Sequence, residues 1–461
     1  MVFSSLLFLF IFLPVFLTVY FILPKNLRNL ILFLASLMFY AWGEPVYVSI
    51  MIFSTVLDYT CGCIIDRFRK HKLIPKLGLG LSLIGNLGML GFFKYADFFI
   101  SNTNALFGTH WDLLRIALPI GISFYTFQTM SYTIDLYRGK IQVQKNIIAF
   151  GAYVAMFPQL IAGPIVTYAT VEKELNHREV TFEDFGLGAM RFIEGLGKKV
   201  LIANNIGLLW DQILNTPINN LSIIGAWLGA ISFGLQLYFD FSGYSDMAIG
   251  LGRMLGFRFP ENFNYPYIAK SVSDFWRRWH MTLTGWFREY VYIPLGGNRV
   301  SKPRFYLNIL IVWFLTGFWH GAGWNFILWG LFFAVLMIIE RSFLLKYLER
   351  LPSFISRFYL LFVVTISWVL FAHDSLEQAI SYLKVMFGIG TNSFINTPSL
   401  YAITNFYVLI IIGIVFATPL MNNLKARLNE WVVFAFYVVT LFLSTAYLVD
   451  ATFNPFLYFR F

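Results

Sequence analysis

Residues 305–340 read FYLNILIVWFLTGFWHGAGWNFILWGLFFAVLMIIE, and only the last of them, Glu340, carries a charge. A membrane-spanning helix needs about 20 consecutive, mostly apolar residues, so this stretch is long enough for two spans. Unbroken apolar runs are typical of membrane helices, whereas the strands of a membrane β-barrel alternate apolar and polar residues. The stretch therefore predicts an α-helical membrane protein, with His320 deep in apolar sequence.

The rest of the chain has the same character. Of its 461 residues, 58% are hydrophobic, 20% are aromatic and only 13% are charged, and the mean hydropathy is +0.67. A soluble fold of this length cannot hide so much apolar surface, so the solvent must be lipid. We predict an all-α polytopic membrane protein with roughly eleven to thirteen transmembrane or re-entrant helices. The other predicted elements lie near 1–24, 28–43, 46–65, 77–93, 113–134, 146–168, 187–210, 221–241, 355–372, 402–420 and 431–450.

Basic residues between the predicted spans indicate the orientation in the membrane. Loops rich in Lys and Arg face the cytoplasm by the positive-inside rule. The last predicted span, 431–450, then carries the C-terminal tail 451–461 to the outer face. No Lys or Arg precedes Lys25, so the first apolar run is expected to be a retained span rather than a signal peptide. The basic clusters lie at 25–28, 67–76, 138–145, 299–304, 341–350 and 425–427.

Charge and cysteine content narrow the function only a little. The net charge of +10 is mainly a topology signal, although part of it can attract an anionic substrate such as coenzyme A. Cys61 and Cys63 are the only cysteines, they are expected to be structural, and no zinc-binding pattern is present. We expect no metal, no tightly bound cofactor and no nucleic acid partner. Since the chain shows no linker or internal repeat, we predict a single domain over 1–461.

The segment from about 253 to 304 differs from both ends of the chain. Its apolar runs are short, and Arg, Trp, Tyr and Pro are frequent. Such amphipathic pieces lie in the membrane interface or line a cavity instead of spanning the bilayer. We predict a cavity-lining insert that holds a substrate. A cytoplasmic loop with interfacial anchors is the alternative.

Two histidines are the first candidates for chemistry. An ionisable group at membrane depth costs at least ~2–3 kcal/mol unless it is paired or faces a polar cavity, and imidazole titrates nearest to neutral pH. His320 can act as a base towards a hydroxyl that attacks an acyl carbon, or it can be a structural residue bonded to a neighbouring helix. His280, in DFWRRWHMTLTGWFREY (274–290), can orient His320, bind a thioester carbonyl or hold the donor. It can also be an interfacial residue among aromatic anchors.

Polar and aromatic residues around His280 are predicted to bind the donor or to line the cavity. Guanidinium groups bind phosphates well, but Arg side chains also extend from apolar surfaces to the membrane interface without any ligand. The residues concerned are Asp274, Trp276, Arg277, Arg278 and Arg288.

Two carboxylates lie at the end of an apolar span, in FDFSGYSDMAIG. Buried carboxylates must be paired or hydrogen-bonded, so we expect Asp240 and Asp246 to pair with Arg253 or Arg258. Support of a catalytic cavity is the other interpretation of these two residues.

A polar stripe is predicted on one helix in the first third of the chain. Gln128, Ser131 and Asp135 are spaced three and four residues apart, so they share a helix face. They either join neighbouring helices or contact the substrate. Downstream, FPQLIAGPI (157–165) has two prolines and a glycine in an apolar run, which predicts a broken or re-entrant helix.

These motifs together resemble the bacterial membrane-bound O-acyltransferase family, and especially its branch that acetylates alginate and peptidoglycan. The similarity extends from the first span to the C-terminus, and several long motifs occur in the family's order. The motifs are LPIGISFYTFQTMSYTIDLYRG (118–139), FPQLIAGPI (157–165), LYFDFSGYSDMAIGLGRMLGF (237–257), NFNYPY (262–267), SDFWRRWHMTLTGWFREYVYIPLGGNR (273–299) and TGFWHGAGWNFILWG (316–330).

The resemblance implies a ring of helices around a central catalytic tunnel. It places His320 on the family's catalytic histidine and His280 on a second motif position. The C-terminal FLYFRF resembles a short aromatic tail motif of envelope acylation systems, in which the tyrosine carries the acyl group. It therefore implies that Tyr458 is an acyl carrier; from composition alone, the tail would be an aromatic anchor at the outer interface.

The expected function is membrane O-acyl transfer in the bacterial cytoplasmic membrane. The resemblance implies that acetyl-CoA is the donor, that an extracytoplasmic SGNH-type transferase is the partner, and that a cell-envelope or secreted polysaccharide is the final acceptor. Alternatives are transfer of D-alanyl or another acyl group, acylation of a lipid or protein, and a proton-coupled transporter or flippase with buried His and Asp relays. The lack of an internal repeat argues against a transporter.

Overall fold

The apolar runs of the sequence form helices. In the computed structural model, which describes residues 1–390, 392–450 and 457, about three quarters of the chain is helical. No strand occurs within those residues, which confirms the all-α prediction. The chain packs as two compact units: unit 1 comprises 1–192 and 244–260, and unit 2 comprises 193–243 and 261–461. The single-domain interpretation stays a prediction, and Tyr458 lies outside the described residues.

Unit 1 is built from the first third of the chain. Its α-helices are α1 (Leu13–Ile22), α2 (Arg28–Ala41), α3 (Val48–Arg67), α4 (Ile74–Leu90), α5 (Ala96–Phe107), α6 (Ile122–Tyr137), α7 (Ile147–Ala155), α8 (Phe157–Leu160), α9 (Tyr168–Asn176) and most of α10 (Phe182–Gly197). Short π-helical or 3-10 segments cover Phe8–Phe12, Lys25–Leu27 and Gly91–Tyr95.

Unit 2 contains both candidate histidines. Its α-helices are α11 (Asn204–Leu214), the first part of α12 (Ile223–Met254), α13 (Val272–Trp276), α14 (Met281–Phe287), α15 (Lys302–His320), α16 (Trp324–Ile339), α17 (Leu345–Arg350), α18 (Ser353–Ala372), α19 (Leu376–Met386), α20 (Thr397–Phe416), α21 (Leu420–Lys425) and α22 (Glu430–Asp450). Short π-helical or 3-10 segments cover Lys198–Ala203, Ile218–Asn220, Pro266–Ile268, Arg288–Tyr292 and Glu340–Leu344.

Seven helices among the described residues are long and apolar enough to cross a membrane, so the protein is a multi-pass membrane protein. The total number of spans, the ring and its tunnel stay predictions. The seven are Val48–Arg67, Ile74–Phe107, Ile223–Met254, Trp324–Arg350, Ser353–Ala372, Thr397–Phe416 and Glu430–Asp450.

Two predicted elements differ from regular spans in informative ways. The element expected at 113–134 is helical only from Ile122 onward, because Pro119 and Gly121 delay the helix start. The element expected at 146–168 is interrupted, since α7 ends at Ala155 and the four-residue helix α8 follows. The prediction of a broken helix at 157–165 is therefore confirmed.

The insert at 253–304 consists of short pieces, as expected. After α12 ends, its helices are the brief α13 and α14 with a 3-10 turn before them and a π-helical turn after them. Gly296 and Gly297 have positive φ angles of 101° and 57°, which allow the chain to turn before α15 begins.

The stretch 305–340 forms a helical hairpin, with α15 and α16 joined at residues 321–323. A Cβ atom at Gly317 would collide with the carbonyl oxygen of Phe326, and one at Gly330 with that of Trp313. The two helices therefore approach closely only because both positions are glycine. This close crossing places His320 at the tip of the hairpin.

Candidate active site

His320 is the last residue of α15 and is held in an aromatic environment. Its side chain is buried, and its ring packs edge-to-face against those of Trp319, Trp329 and Phe371, with centroids 5.0, 5.0 and 5.3 Å away. The C-terminal end of a helix carries partial negative charge, which stabilises a cation formed there. The position therefore suits an imidazole that takes up a proton during a reaction.

His280 is fixed by its backbone as well as by its side chain. It immediately precedes α14 and has a left-handed backbone, with φ of 45° and ψ of 52°. A non-glycine residue in this region costs roughly 1–3 kcal/mol and persists only where its surroundings enforce it. The imidazole is almost completely buried, and its Nδ1 lies 3.1 Å from Oδ1 of the buried Asn262.

The bonds of Asn262 determine which imidazole nitrogen carries the proton. Asn262 Oδ1 also accepts the backbone N–H and the hydroxyl of Thr282, at 3.3 and 2.9 Å, so this atom is an acceptor. The bond from His280 therefore requires a proton on Nδ1, and in the neutral ring Nε2 then carries the lone pair. The main chain strengthens this clamp, because the N–H of Met281 donates to the carbonyl oxygen of Asn262 at 2.9 Å.

Burial also decides the charge of His280. Desolvation lowers the pKa of this imidazole to about 3, because burial penalises the charged form. His280 is thus neutral at physiological pH, with an acceptor rather than a donor at Nε2. In this form Nε2 can hold a hydroxyl or another N–H, but it cannot polarise a thioester carbonyl, which was one of the three expected roles.

The structure brings the two histidines to a common neighbour. The indole of Trp319 lies next to His320 along the chain, and its ring centroid is also 6.1 Å from that of His280. On its other side, His280 packs edge-to-face against Phe241 at 4.7 Å. Both imidazoles therefore belong to one buried aromatic site in unit 2.

The predicted donor-binding residues divide into buried and exposed groups. Trp276 is buried in the aromatic cluster, with its ring 4.7 Å from Trp313 and 5.7 Å from Trp329. Asp274 and Arg278 form an ion pair with 3.0 Å between Oδ1 and Nε, so part of their charge is used within the insert. The side chains of Arg277 and Arg288 are exposed.

The short helix α13 is held by a residue far away in sequence. The buried Glu340 accepts the N–H groups of Val272 and Ser273 at 2.7 and 3.1 Å. A carboxylate at a helix N-terminus satisfies donors that have no partner within the helix. Glu340 therefore fixes the helix that carries Trp276.

The predicted pairing of the two α12 carboxylates with Arg253 or Arg258 is wrong. Asp240 pairs with Lys199, with 2.5 Å between Oδ1 and Nζ, whereas Asp246 pairs with Arg191 at 2.6 Å. Side chains along one helix meet when they are three or four residues apart, and Asp246 and Arg253 are seven apart. Arg253 and Arg258 instead share Asp184, at 3.2 and 2.7 Å.

Asp246 and Gln128 belong to unit 1 and are described apart from the histidine site. Gln128 is fully buried in α6, and its backbone carbonyl accepts the hydroxyl of Ser131 at 2.6 Å. Substrate contact by Gln128 and a role for Asp246 in supporting the cavity stay predictions.

Several residues of the site were not singled out from the sequence. Their neighbours in the sequence do not indicate a role in the site. The one available signal is at Asn262, whose amide side chain opens the aromatic motif NFNYPY. The residues are Lys199, Asn262, Trp319, Trp329, Glu340 and Phe371.

Comparisons with known proteins show the family to which the chain is similar. The family model described as MBOAT, membrane-bound O-acyltransferase family, matches residues 141–376, a range that includes both histidines. A probable alginate O-acetylase of Azotobacter vinelandii is 40% identical over 446 residues, which cover 93% of this chain and 89% of the relative.

Two further relatives extend the comparison. A probable alginate O-acetylase of Pseudomonas aeruginosa is 43% identical over 395 residues, covering 85% of this chain and 76% of the relative. A peptidoglycan O-acetyltransferase of Helicobacter pylori is 38% identical over 424 residues, covering 84% and 80%. The similarity thus extends well beyond the region that carries the two histidines.

Proposed function

The chain belongs to the membrane-bound O-acyltransferase family, and from this premise we propose that it moves an acetyl group from cytoplasmic acetyl-CoA across the bacterial cytoplasmic membrane. The final acceptor is a cell-envelope or secreted polysaccharide. The observation that carries this proposal is the pair of buried imidazoles around Trp319. The names of the relatives, which act on alginate or peptidoglycan, support a polysaccharide acceptor.

His320 is the general base in this proposal. The phenol oxygen of Tyr458 attacks the thioester carbonyl carbon, and His320 takes the phenol proton as the new C–O bond forms. The C–S bond then breaks, and the proton passes from His320 to the leaving sulfur. The products are an acetyl-tyrosine ester and the free thiol of coenzyme A.

His280 positions the reacting groups in this scheme. Its Nδ1–H is held by Asn262, so the Nε2 lone pair is directed by a fixed ring and can accept a hydrogen bond from an N–H group, which leaves the single O–H proton of the attacking phenol for His320. A side chain that is held in a fixed orientation favours the reaction, because the geometry of the site is set before the substrates bind.

The donor enters from the cytoplasmic side. Arg277 and Arg288 are exposed on the insert, where the positive-inside rule favours basic residues. Their guanidinium groups bind the phosphates of coenzyme A, while the thioester end reaches the aromatic site. No tightly bound cofactor is needed for this step.

The acetyl-tyrosine ester is an intermediate. A phenol has a pKa near ~10 and is a better leaving group than a sugar hydroxyl, so the ester stays activated for a second transfer. An extracytoplasmic transferase of the SGNH type then places the acetyl group on the polysaccharide. Transfer of D-alanyl or another acyl group would follow the same steps with a different donor.

The stoichiometry of thiol release tests the proposal. Purified protein in detergent, without a partner transferase, is expected to release about one thiol per chain from acetyl-CoA, because each chain has one Tyr458. Tyr458→Phe is expected to release none, and cells that carry this variant are expected to lose polymer acetylation. A transporter would leave acetyl-CoA intact, and polymer acetylation that survives Tyr458→Phe would contradict the carrier role.

A further inference from the structure

A buried ion pair joins Asp240, in the middle of α12, to Lys199. The Lys199–Asp240 pair has both side chains only 3% exposed. Phe241, the next residue along α12, contacts His280. Ions buried this deeply cost several kcal/mol to desolvate unless their geometry and hydrogen bonds are good, so the pair calls for an explanation beyond stability.

The second oxygen of Asp240 binds the C-terminal tail. The backbone N–H of Leu457 donates to Asp240 Oδ2 at 2.9 Å. The side chain of Leu457 is 6% exposed and packs in the hydrophobic core of unit 2. The Asp240 carboxylate therefore pairs with Lys199 through Oδ1 and accepts the N–H of Leu457 through Oδ2.

The contact with Leu457 lies deep along α12. Asp240 is far from both ends of α12, roughly 25 Å from its start at the helical rise per residue. The contact between Leu457 and Asp240 therefore lies near the middle of a membrane-length helix and not at its end.

We propose that Lys199 and Asp240 form a docking site for the C-terminal tail of this same chain. The site holds the backbone of Leu457, and the residue that follows it in the sequence is Tyr458, the acyl acceptor of the proposed function. This deepens the proposed function and rests on it for the role of Tyr458. Asp240 is thereby a positioning residue for the acceptor.

The chemistry of the pair suits this task. Lys199 gives the Asp240 carboxylate a counter-ion in an apolar core, and a charge-assisted hydrogen bond is about twice as strong as a neutral one. Asp240 can accept the backbone N–H of any residue except proline, so this bond alone does not determine which tail residue binds. The buried side chain of Leu457 adds that selectivity, because a shift of one residue would place a different side chain in the core.

Paired substitutions test the docking without leaving a buried charge. Lys199→Met with Asp240→Asn keeps an acceptor oxygen for Leu457, whereas Lys199→Met with Asp240→Leu removes it. Both are expected to fold, because replacing both members of a buried ion pair is often neutral for stability. Their melting temperatures in detergent check this.

Hydrogen–deuterium exchange at the Leu457 amide is the readout. We expect slow exchange in the wild-type protein and in the double variant that carries Asp240→Asn, because both keep an acceptor for the N–H. In the double variant that carries Asp240→Leu, we expect exchange to be roughly 10- to 100-fold faster. Fast exchange in the wild-type protein, or equal exchange in the two double variants, would overturn the docking site.

A second pair of variants links docking to transfer. Leu457→Pro removes the donor N–H, and Leu457→Ala keeps it but shortens the buried side chain. Acetyl transfer to Tyr458 is expected to fall further in Leu457→Pro than in Leu457→Ala, and the reverse order would contradict the role of the N–H. Slow exchange at Leu457 without any acetylation of Tyr458 in the wild-type protein would keep the docking site and reject the carrier.

Discussion

The α15–α16 hairpin and the insert at 253–304 hold their histidines by different means. In the hairpin, His320 is placed by helix packing, through the glycine contacts of Gly317 and Gly330 and the surrounding aromatic rings. In the insert, His280 is placed by hydrogen bonds to Asn262 and by a left-handed backbone. One site therefore combines a half held by packing and a half held by hydrogen bonds. We expect substitutions in the two halves to lower acetyl transfer to different extents.

The largest effect is expected from the packed half. His320→Ala removes the general base and is expected to lower acetyl transfer by about 10²–10⁴-fold, with the protein still folded. His110→Ala, which changes an exposed histidine, is the matched control and should retain wild-type transfer. The measurement is thiol release from acetyl-CoA, and a His320→Ala rate within a few-fold of wild type would reject the base assignment.

A smaller loss is expected from the hydrogen-bonded half. Asn262→Ala leaves the Nδ1–H of the buried His280 without its acceptor, which costs about 1–3 kcal/mol. Because the ring is then no longer held, we expect transfer to fall about 10- to 100-fold. Asn264→Ala, an exposed amide in the same insert, is the control. Equal rates of acetyl transfer in the two variants would show that the hydrogen bond from His280 to Asn262 does not position the His280 ring.

The stability of the hairpin should depend mainly on how closely its two helices pack. Gly330→Ala places a methyl group against the Trp313 carbonyl and is expected to destabilise the protein by about 1–3 kcal/mol. Gly88→Ala, at a helical position where a Cβ meets nothing within 4 Å, should leave stability unchanged or raise it slightly. The melting temperatures of the two variants in detergent provide the comparison, and equal values would contradict the close helix crossing.

The last effect concerns the pH dependence of stability. The pKa of His280 is lowered to about 3 in the folded protein, whereas an unfolded histidine titrates near 6.5. Below pH ~6.5 the unfolded chain therefore binds a proton that the folded site does not bind, and the free energy of unfolding falls by up to about 1.4 kcal/mol per pH unit.

His280→Asn removes this proton and keeps a residue type that tolerates the left-handed backbone. The melting temperature of the wild-type protein should therefore fall more steeply between pH 6.5 and pH 4.5 than that of His280→Asn. Parallel curves would show that His280 is not held neutral.

The sequence predicted the local features of the molecule well. Apolar runs predicted the helices, the length of 305–340 predicted a hairpin, and the prolines of 157–165 predicted a broken helix. His320 and His280 stood out because an ionisable group is costly in apolar sequence. Each of these features depends on residues that are close together along the chain.

What the sequence did not predict depends on contacts between distant helices. Asp240 pairs with Lys199 rather than with Arg253 or Arg258, and Glu340 accepts N–H groups of two residues that lie 67 and 68 positions earlier. Such partners are set by the rotation and crossing of packed helices, which hydrophobic periodicity leaves open. The tautomer of His280 could not be predicted from the sequence for the same reason, because it depends on the hydrogen bond to Asn262, which is 18 residues away.

The most direct test of the central claim is mass spectrometry of the C-terminal peptide after incubation of the purified protein with isotopically labelled acetyl-CoA. We expect one labelled acetyl group on Tyr458 of the wild-type protein and almost none on Tyr458 of His320→Ala. An unlabelled wild-type peptide, or equal labelling of the two proteins, would contradict it.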